Sequence, residues 1–140
     1  MGIRKEGAPA SQAVHSRGPR VNVRAWIEWD GEAFIGPGRA ALLEGVDRHH
    51  SITGAALDVG VSYRTAWKWI GIMNRAASKP LVEAATGGRG GGGAILTPTG
   101  RAALEAHRRL TTGLNDFVKA MNADLKAVLK HGRAAQRPSR

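Results

Sequence analysis

Arg64, Lys68, Arg75 and Lys79 are four cations separated by four, seven and four residues, in a stretch from Ser62 onward that holds no acidic side chain. On a helix such spacings gather side chains toward one face, and an all-basic face suits a polyanion. Arginine and lysine donate charge-assisted hydrogen bonds to phosphate, and arginine can also grip a guanine edge bidentately. A second stretch of the same chemical kind follows. Residues 86–93 read T-G-G-R-G-G-G-G, a loop whose only charge is Arg89 and whose glycines Gly87, Gly88, Gly90 and Gly91 let backbone approach a phosphate or groove wall closely.

Residue types for other chemistries are present without the required spacing. The five histidines, His15, His49, His50, His107 and His131, form no H-x-x-x-H or H-E-x-x-H pattern, so no metal site is expected. His49 and His50 at the end of a helix more simply ease its C-terminal dipole. The eleven acidic residues stand beside no recognisable nucleophile, and there is no cysteine. No enzyme and no cofactor is expected. Absence of cysteine fits a reducing compartment. The glycine loop matches neither G-x-x-x-x-G-K-[ST] nor a strand-loop-helix setting, which argues against a nucleotide cradle.

Charge and length bound the rest. The 140 residues carry a formal charge of +10, with a pI near 11.3. That is one domain's length with a preference for polyanions, of which nucleic acid and a membrane surface are the two candidates. No run of 18 apolar residues spans a bilayer and residues 1–20 lack a signal-peptide core, so a cytoplasmic, nucleoid-associated protein is expected.

The elements that must position the basic face are legible in order. Residues 1–19 are rich in Gly, Ala, Ser and Arg without apolar period and read as a disordered basic arm, with Arg4, Lys5, Arg17 and the adjacent Arg20 available to phosphates. Val21 to Trp29 alternates as a strand, with Val21, Val23, Ala25, Ile27 and Trp29 on one face, and ends in the turn pair Asp30-Gly31 before a short return strand, Glu32 to Ile35. Pro37 opens a helix whose apolar positions are Ala40, Leu42, Leu43 and Val46. Small Ala55 and Ala56 mark a second helix after Ser51. Gly60 supplies a corner of positive φ, and Ser62 caps a third helix running to about Lys79. Its buried face is expected to be Tyr63, Ala66, Trp67, Ile70 and Met73, with Arg64, Thr65, Lys68 and Arg75 on or beside the opposite side. Trp26 and Trp29 likewise read as core, and Trp69 as a partly exposed flank.

This is a helix-turn-helix pattern, whose second helix would enter the major groove. A plain helical hairpin with a solvated basic face competes with it. The apolar pieces Leu81-Val82 and Ile95-Leu96 flank the glycine loop as an antiparallel pair would, giving a wing; a flexible linker is the alternative. The expected DNA-contacting set is Ser62, Tyr63, Arg64, Thr65, Lys68, Arg75 and Arg89. Residues 20–97 then form the DNA-binding domain.

Thr97 caps and Pro98 opens a last helix, expected over 98–131. Leu110, Leu114, Phe117, Met121, Leu125 and Val128 recur on it at spacings of three or four, a seam that needs a partner. A helix of that length would outrun so small a domain, so a homodimer seam is favoured over packing onto the chain's own domain. Residues 132–140 read as a disordered basic tail. The fold class is thus mainly α with small β elements, a winged helix-turn-helix followed by a long dimerisation helix.

Several of these motifs carry a resemblance. D-G-E-A-F-I-G-P-G-R-A-A-L-L-E from Asp30, S-Y-R-T-A-W from Ser62, M-N-R from Met73 and P-L-V-E-A-A-T-G-G-R-G-G-G-G-A-I-L-T-P-T-G from Pro80 resemble the N-terminal DNA-binding domain of ModE-type molybdate-responsive regulators. The P-L-V-E to L-T-P-T-G segment and the helix after it are more loosely similar to LysR-type winged helices. The resemblance covers about residues 21–104 and implies a homodimeric, sequence-specific transcriptional regulator that binds double-stranded DNA. Members of the ModE family continue into small β-rich domains that bind molybdate. No segment after Gly100 is β-patterned here, so molybdate binding is not expected and any effector is unknown. Two other functions remain open on the sequence: a sequence-tolerant chromosome-organising protein, and a small-anion or protein interaction module that kept the fold. A stacking platform for single strands is weakly supported by seven aromatic residues.

Overall fold

The computed structural model describes residues 18–85 and 93–134, with side chains to residue 130. The arm before Gly18, the tail after Ala134 and the wing tip with Gly87, Gly88, Arg89, Gly90 and Gly91 lie outside the described residues. The elements are β1 (Ile27–Trp29), β2 (Glu32–Ile35), α1 (Pro37–His49), α2 (Ile52–Val59), α3 (Tyr63–Ala76), β3 (Val82–Ala85), β4 (Gly93–Leu96) and α4 (Pro98–Ala134). The chain is mainly helical, a winged helix-turn-helix followed by a long helix. It divides into a unit of Val23–Phe117 and a unit combining Met1–Asn22 with Val118–Arg140.

In the first unit, β1 and β2 pair antiparallel through Trp29↔Glu32 and Glu28↔Ala33. Asp30 and Gly31 turn the corner at φ 49° and 80°, the left-handed pair that a two-residue hairpin needs. The alternating stretch expected as a strand from Val21 is a strand only over Ile27–Trp29, where β2 supplies hydrogen-bond partners. Trp26 and Trp29 are exposed rather than core, because this two-stranded ribbon turns its β2 side, Phe34 and Ile35, inward. Arg39 donates to the carbonyl oxygens of Ala33 and Phe34, tying α1 to the ribbon, and burial pushes its guanidinium below the usual pKa.

Ile35, Leu42, Leu43, Val46, Met73 and Leu81 are the largest fully buried side chains, so one core is shared by the ribbon, α1, α3 and the base of the wing. α1 and α2 cross closely at Gly45, where a Cβ would come within 2.8 Å of both Cα and Cβ of Ala55. Asp58 of α2 accepts from Arg48 Nη1 at 2.8 Å and meets His49 Nε2 at 2.6 Å. The wing strands pair antiparallel from Val82↔Leu96 to Ala85↔Gly93, and Ala94 N–H donates to the carbonyl of His50 at 3.0 Å. Thr97 Oγ1 accepts from Gly100 N–H at 3.0 Å as the cap of α4 and donates to the Pro80 carbonyl at 2.7 Å. Within this unit α4 buries Leu104 and His107, and its Arg101 and Arg108 pair with Asp47 and Glu44 of α1.

In the second unit, the helix continues to Ala134, three residues past the expected end at His131. Val21 N–H donates to Asn122 Oδ1 at 2.7 Å.

Candidate nucleic-acid interface

The helix-turn-helix is built by local rules. Ser51 caps α2, accepting from Gly54 N–H at 3.2 Å, and Gly60 ends it at φ 77° with its N–H donating to the Ala56 carbonyl at 2.9 Å. Ser62 Oγ then accepts from Thr65 N–H at 3.1 Å and donates to Thr65 Oγ1 at 2.9 Å. Ser62 and Thr65 thus satisfy each other in capping α3, at the turn where the cations begin. The helix ends at Ala76, where the backbone turns extended, so Lys79 belongs to the connection and not to the helical face expected to reach it.

Arg64, Lys68 and Arg75 are all exposed on α3. Among the described residues none of the three has an acidic partner, whereas Arg48, Arg101 and Arg108 are each paired with a carboxylate. Cations without a carboxylate partner keep their hydrogen-bond capacity for a ligand. Arg75 lies back along the helix: a Cβ on Gly71 would stand 3.1 Å from its Nη1.

The apolar face of α3 is rotated from the expected one. Ala66, Ile70 and Met73 are buried as expected, but Tyr63 and Trp67 are 52% and 49% exposed. Trp69, expected as a partly exposed flank, is intermediate in exposure and packs against the core. Its ring lies in a slot at Gly38, where a Cβ would stand 3.3 Å from it. Tyr63 and Trp67 are left outside as an edge-to-face pair, ring centroids 6.2 Å apart and planes at 77°.

A residue that motif reading passed over holds the interface in register. Asn74 Oδ1 accepts from Leu81 N–H at 2.8 Å and Val82 N–H at 3.2 Å, and its Nδ2 donates to the Val82 carbonyl at 2.9 Å. One amide therefore fixes the wing's first strand to the last turn of α3. The only sequence signal was an amide near the end of the helix, within the M-N-R motif.

The wing strands flanking the glycine loop are present, while Arg89 at its tip lies outside the described residues. Of the seam, Leu110, Leu114 and Phe117 fall in the first unit, with Leu110 and Phe117 exposed and Leu114 half-buried. Met121 and Val128 in the second unit are exposed, with Leu125 half-buried. No group of three or more His, Cys, Asp or Glu suited to a metal occurs among the described residues, and no described helix is long and apolar enough to cross a membrane.

The chain is 41% identical over 102 residues to the molybdenum-pterin-binding protein MopB of Rhodobacter capsulatus, covering 70% of the chain and 38% of that relative. MopA of the same organism is 40% identical over 97 residues, 69% of the chain and 37% of MopA. The DNA-binding transcriptional dual regulator ModE of Escherichia coli strain K12 is 43% identical over 74 residues, 53% of the chain and 28% of ModE. The chain spans less than two-fifths of the length of each of these three relatives. No protein-family model matches it. Homologues and motifs agree, and the matched stretch of the chain is of the ModE N-terminal type.

Proposed function

We propose that the chain is a sequence-specific, double-stranded-DNA-binding transcriptional regulator that acts as a homodimer and is not an enzyme. The observation that carries this reading is the face of α3: Arg64, Lys68 and Arg75 exposed, with no acidic partner among the described residues, on the second helix of a helix-turn-helix. A helix so placed presents its first turns to base edges, and its cations complement phosphate. ModE, named as a DNA-binding regulator, supports the same reading. Residues 20–97 would supply DNA contact and 98–131 the dimer seam, and work on chromosomal DNA would place the protein in the nucleoid.

The test is selection of bound duplexes from a random pool, followed by titration of selected and scrambled duplexes over a salt series. A regulator should prefer selected duplexes by about 10³-fold or more. Equal affinity for both would favour the chromosome-organising alternative. No affinity for either at physiological salt would favour an anion or protein interaction module.

MopA and MopB are named for molybdenum-pterin binding, which makes molybdate the ligand to titrate beside DNA. In the family the chain resembles, the oxyanion is held by β-rich domains rather than by the winged helix. The 140-residue chain should therefore give no heat with molybdate or tungstate in calorimetry. Micromolar binding of either would show that this stretch carries an oxyanion site of its own.

A further inference from the structure

Resting on that DNA-binding reading, we propose that Tyr63 and Trp67 read thymine C5-methyl groups in the major groove, making this aromatic pair a specificity determinant beside the arginine and lysine contacts. The fold does not need their outer faces. Ala66, Ile70 and Met73 already close the core side of α3, and the slot at Gly38 takes Trp69. Two large rings nevertheless stand about half exposed in the first two turns of α3, where a recognition helix meets base edges. They stand against each other at 77° and 6.2 Å, an edge-to-face arrangement that favours one relative orientation of the two rings.

The charge around the pair identifies the occupant. Arg64 follows Tyr63, Lys68 follows Trp67, and Arg75 lies back over Gly71, one turn from Trp67, while α3 contains no acidic residue. An apolar surface flanked by such cations along one side fits a ligand that is apolar at one point and anionic beside it. In the major groove of a duplex that point is the thymine methyl, the one methyl group on the base edges there. Stacking on a base face would require an unstacked strand, whereas a methyl projects into the groove of intact B-DNA.

The experiment uses the full chain and duplexes selected from a random pool, with thymines replaced by deoxyuridine, first all together and then singly. Wild-type protein should lose about fourfold in affinity for each methyl it touches, the value of one buried CH₂ group. Trp67→Ala should bind the natural duplex more weakly and lose the part of the distinction between thymine and deoxyuridine that Trp67 supplies. Trp67→Phe should keep it, and Arg64→Ala should weaken binding to both duplexes while preserving their ratio. Tyr63→Ala, one turn away, is a second variant should Trp67→Ala not fold. An undiminished thymine preference in the folded alanine variants, a wild-type ratio of one, or selection of thymine-free sites overturns the proposal. So does an altered sedimentation coefficient in Trp67→Ala with the methyl ratio intact, which would mean that a second copy covers the pair. If the wild-type chain does not distinguish selected from scrambled duplexes, the regulator reading itself fails and takes this inference with it.

Discussion

Arg64 and Asn74 sit on one helix and do different work. Arg64 is exposed, with no acidic partner among the described residues, so its removal should touch recognition rather than folding. Arg64→Ala is expected to cost about 1–3 kcal/mol on a selected duplex and to narrow the gap to random DNA. Arg89→Ala, at the wing, should weaken both duplexes by similar factors and reduce the salt slope by roughly one unit for each phosphate that Arg89 neutralises. Titration of both variants over a salt series checks the pair; loss of discrimination in Arg89→Ala alone would reverse the two roles. Asn74 instead satisfies two N–H groups and a carbonyl of Leu81 and Val82, both buried residues. Asn74→Ala leaves these groups without partners and should destabilise the protein by about 2–3 kcal/mol, read from the urea midpoint.

At the scale of elements, the arrangement depends on two glycines that resist a side chain for different reasons. The crossing of α1 and α2 at Gly45 leaves a Cβ only 2.8 Å from Ala55, backbone included, so relief requires the helices to move apart. Gly45→Ala should cost about 1–3 kcal/mol in chemical denaturation. Gly60 differs, since a Cβ there meets nothing within 4 Å and only its φ of 77° penalises a side chain. Gly60→Ala should therefore lose about 1–2 kcal/mol without any change in packing, and Gly60→Asn less, because asparagine tolerates the left-handed region. Equal losses for alanine and asparagine would show that the turn conformation is not what Gly60 supplies.

For the whole molecule, the apolar residues of α4 call for a cover. Phe117 and Val128 are 57% and 67% exposed in one chain, and apolar residues at helical spacing are seldom left in water. Leu114→Asp with Met121→Asp should convert a dimer to monomers in sedimentation velocity while the folded core persists. A double variant that sediments like the parent would mean the seam does not hold two chains together. The formal charge of +10 should make DNA affinity fall steeply with salt, whichever element reads sequence.

The sequence alone determined the features that follow from short-range rules. The Asp30-Gly31 turn, the Ser51 and Ser62 caps, the Gly60 corner, the Thr97-Pro98 start of α4 and the strands around the glycine loop all stand where residue chemistry put them. The turns and caps are each decided within about four residues, by a capping hydroxyl, a positive φ or a ring that fixes φ. Periodicity also marked α3 as amphipathic, but period does not set which side of a broad apolar stripe faces inward. That is decided by packing against residues far off in the chain: Trp69 lies at Gly38 and against the core, while Tyr63 and Trp67 stay outside. The same holds for Trp26 and Trp29, whose alternation was readable but whose neighbours were not. Asn74 is the clearest case: its three hydrogen bonds exist only because α3 and the wing's first strand meet in space, and an amide near a helix end says nothing about which backbone it will find.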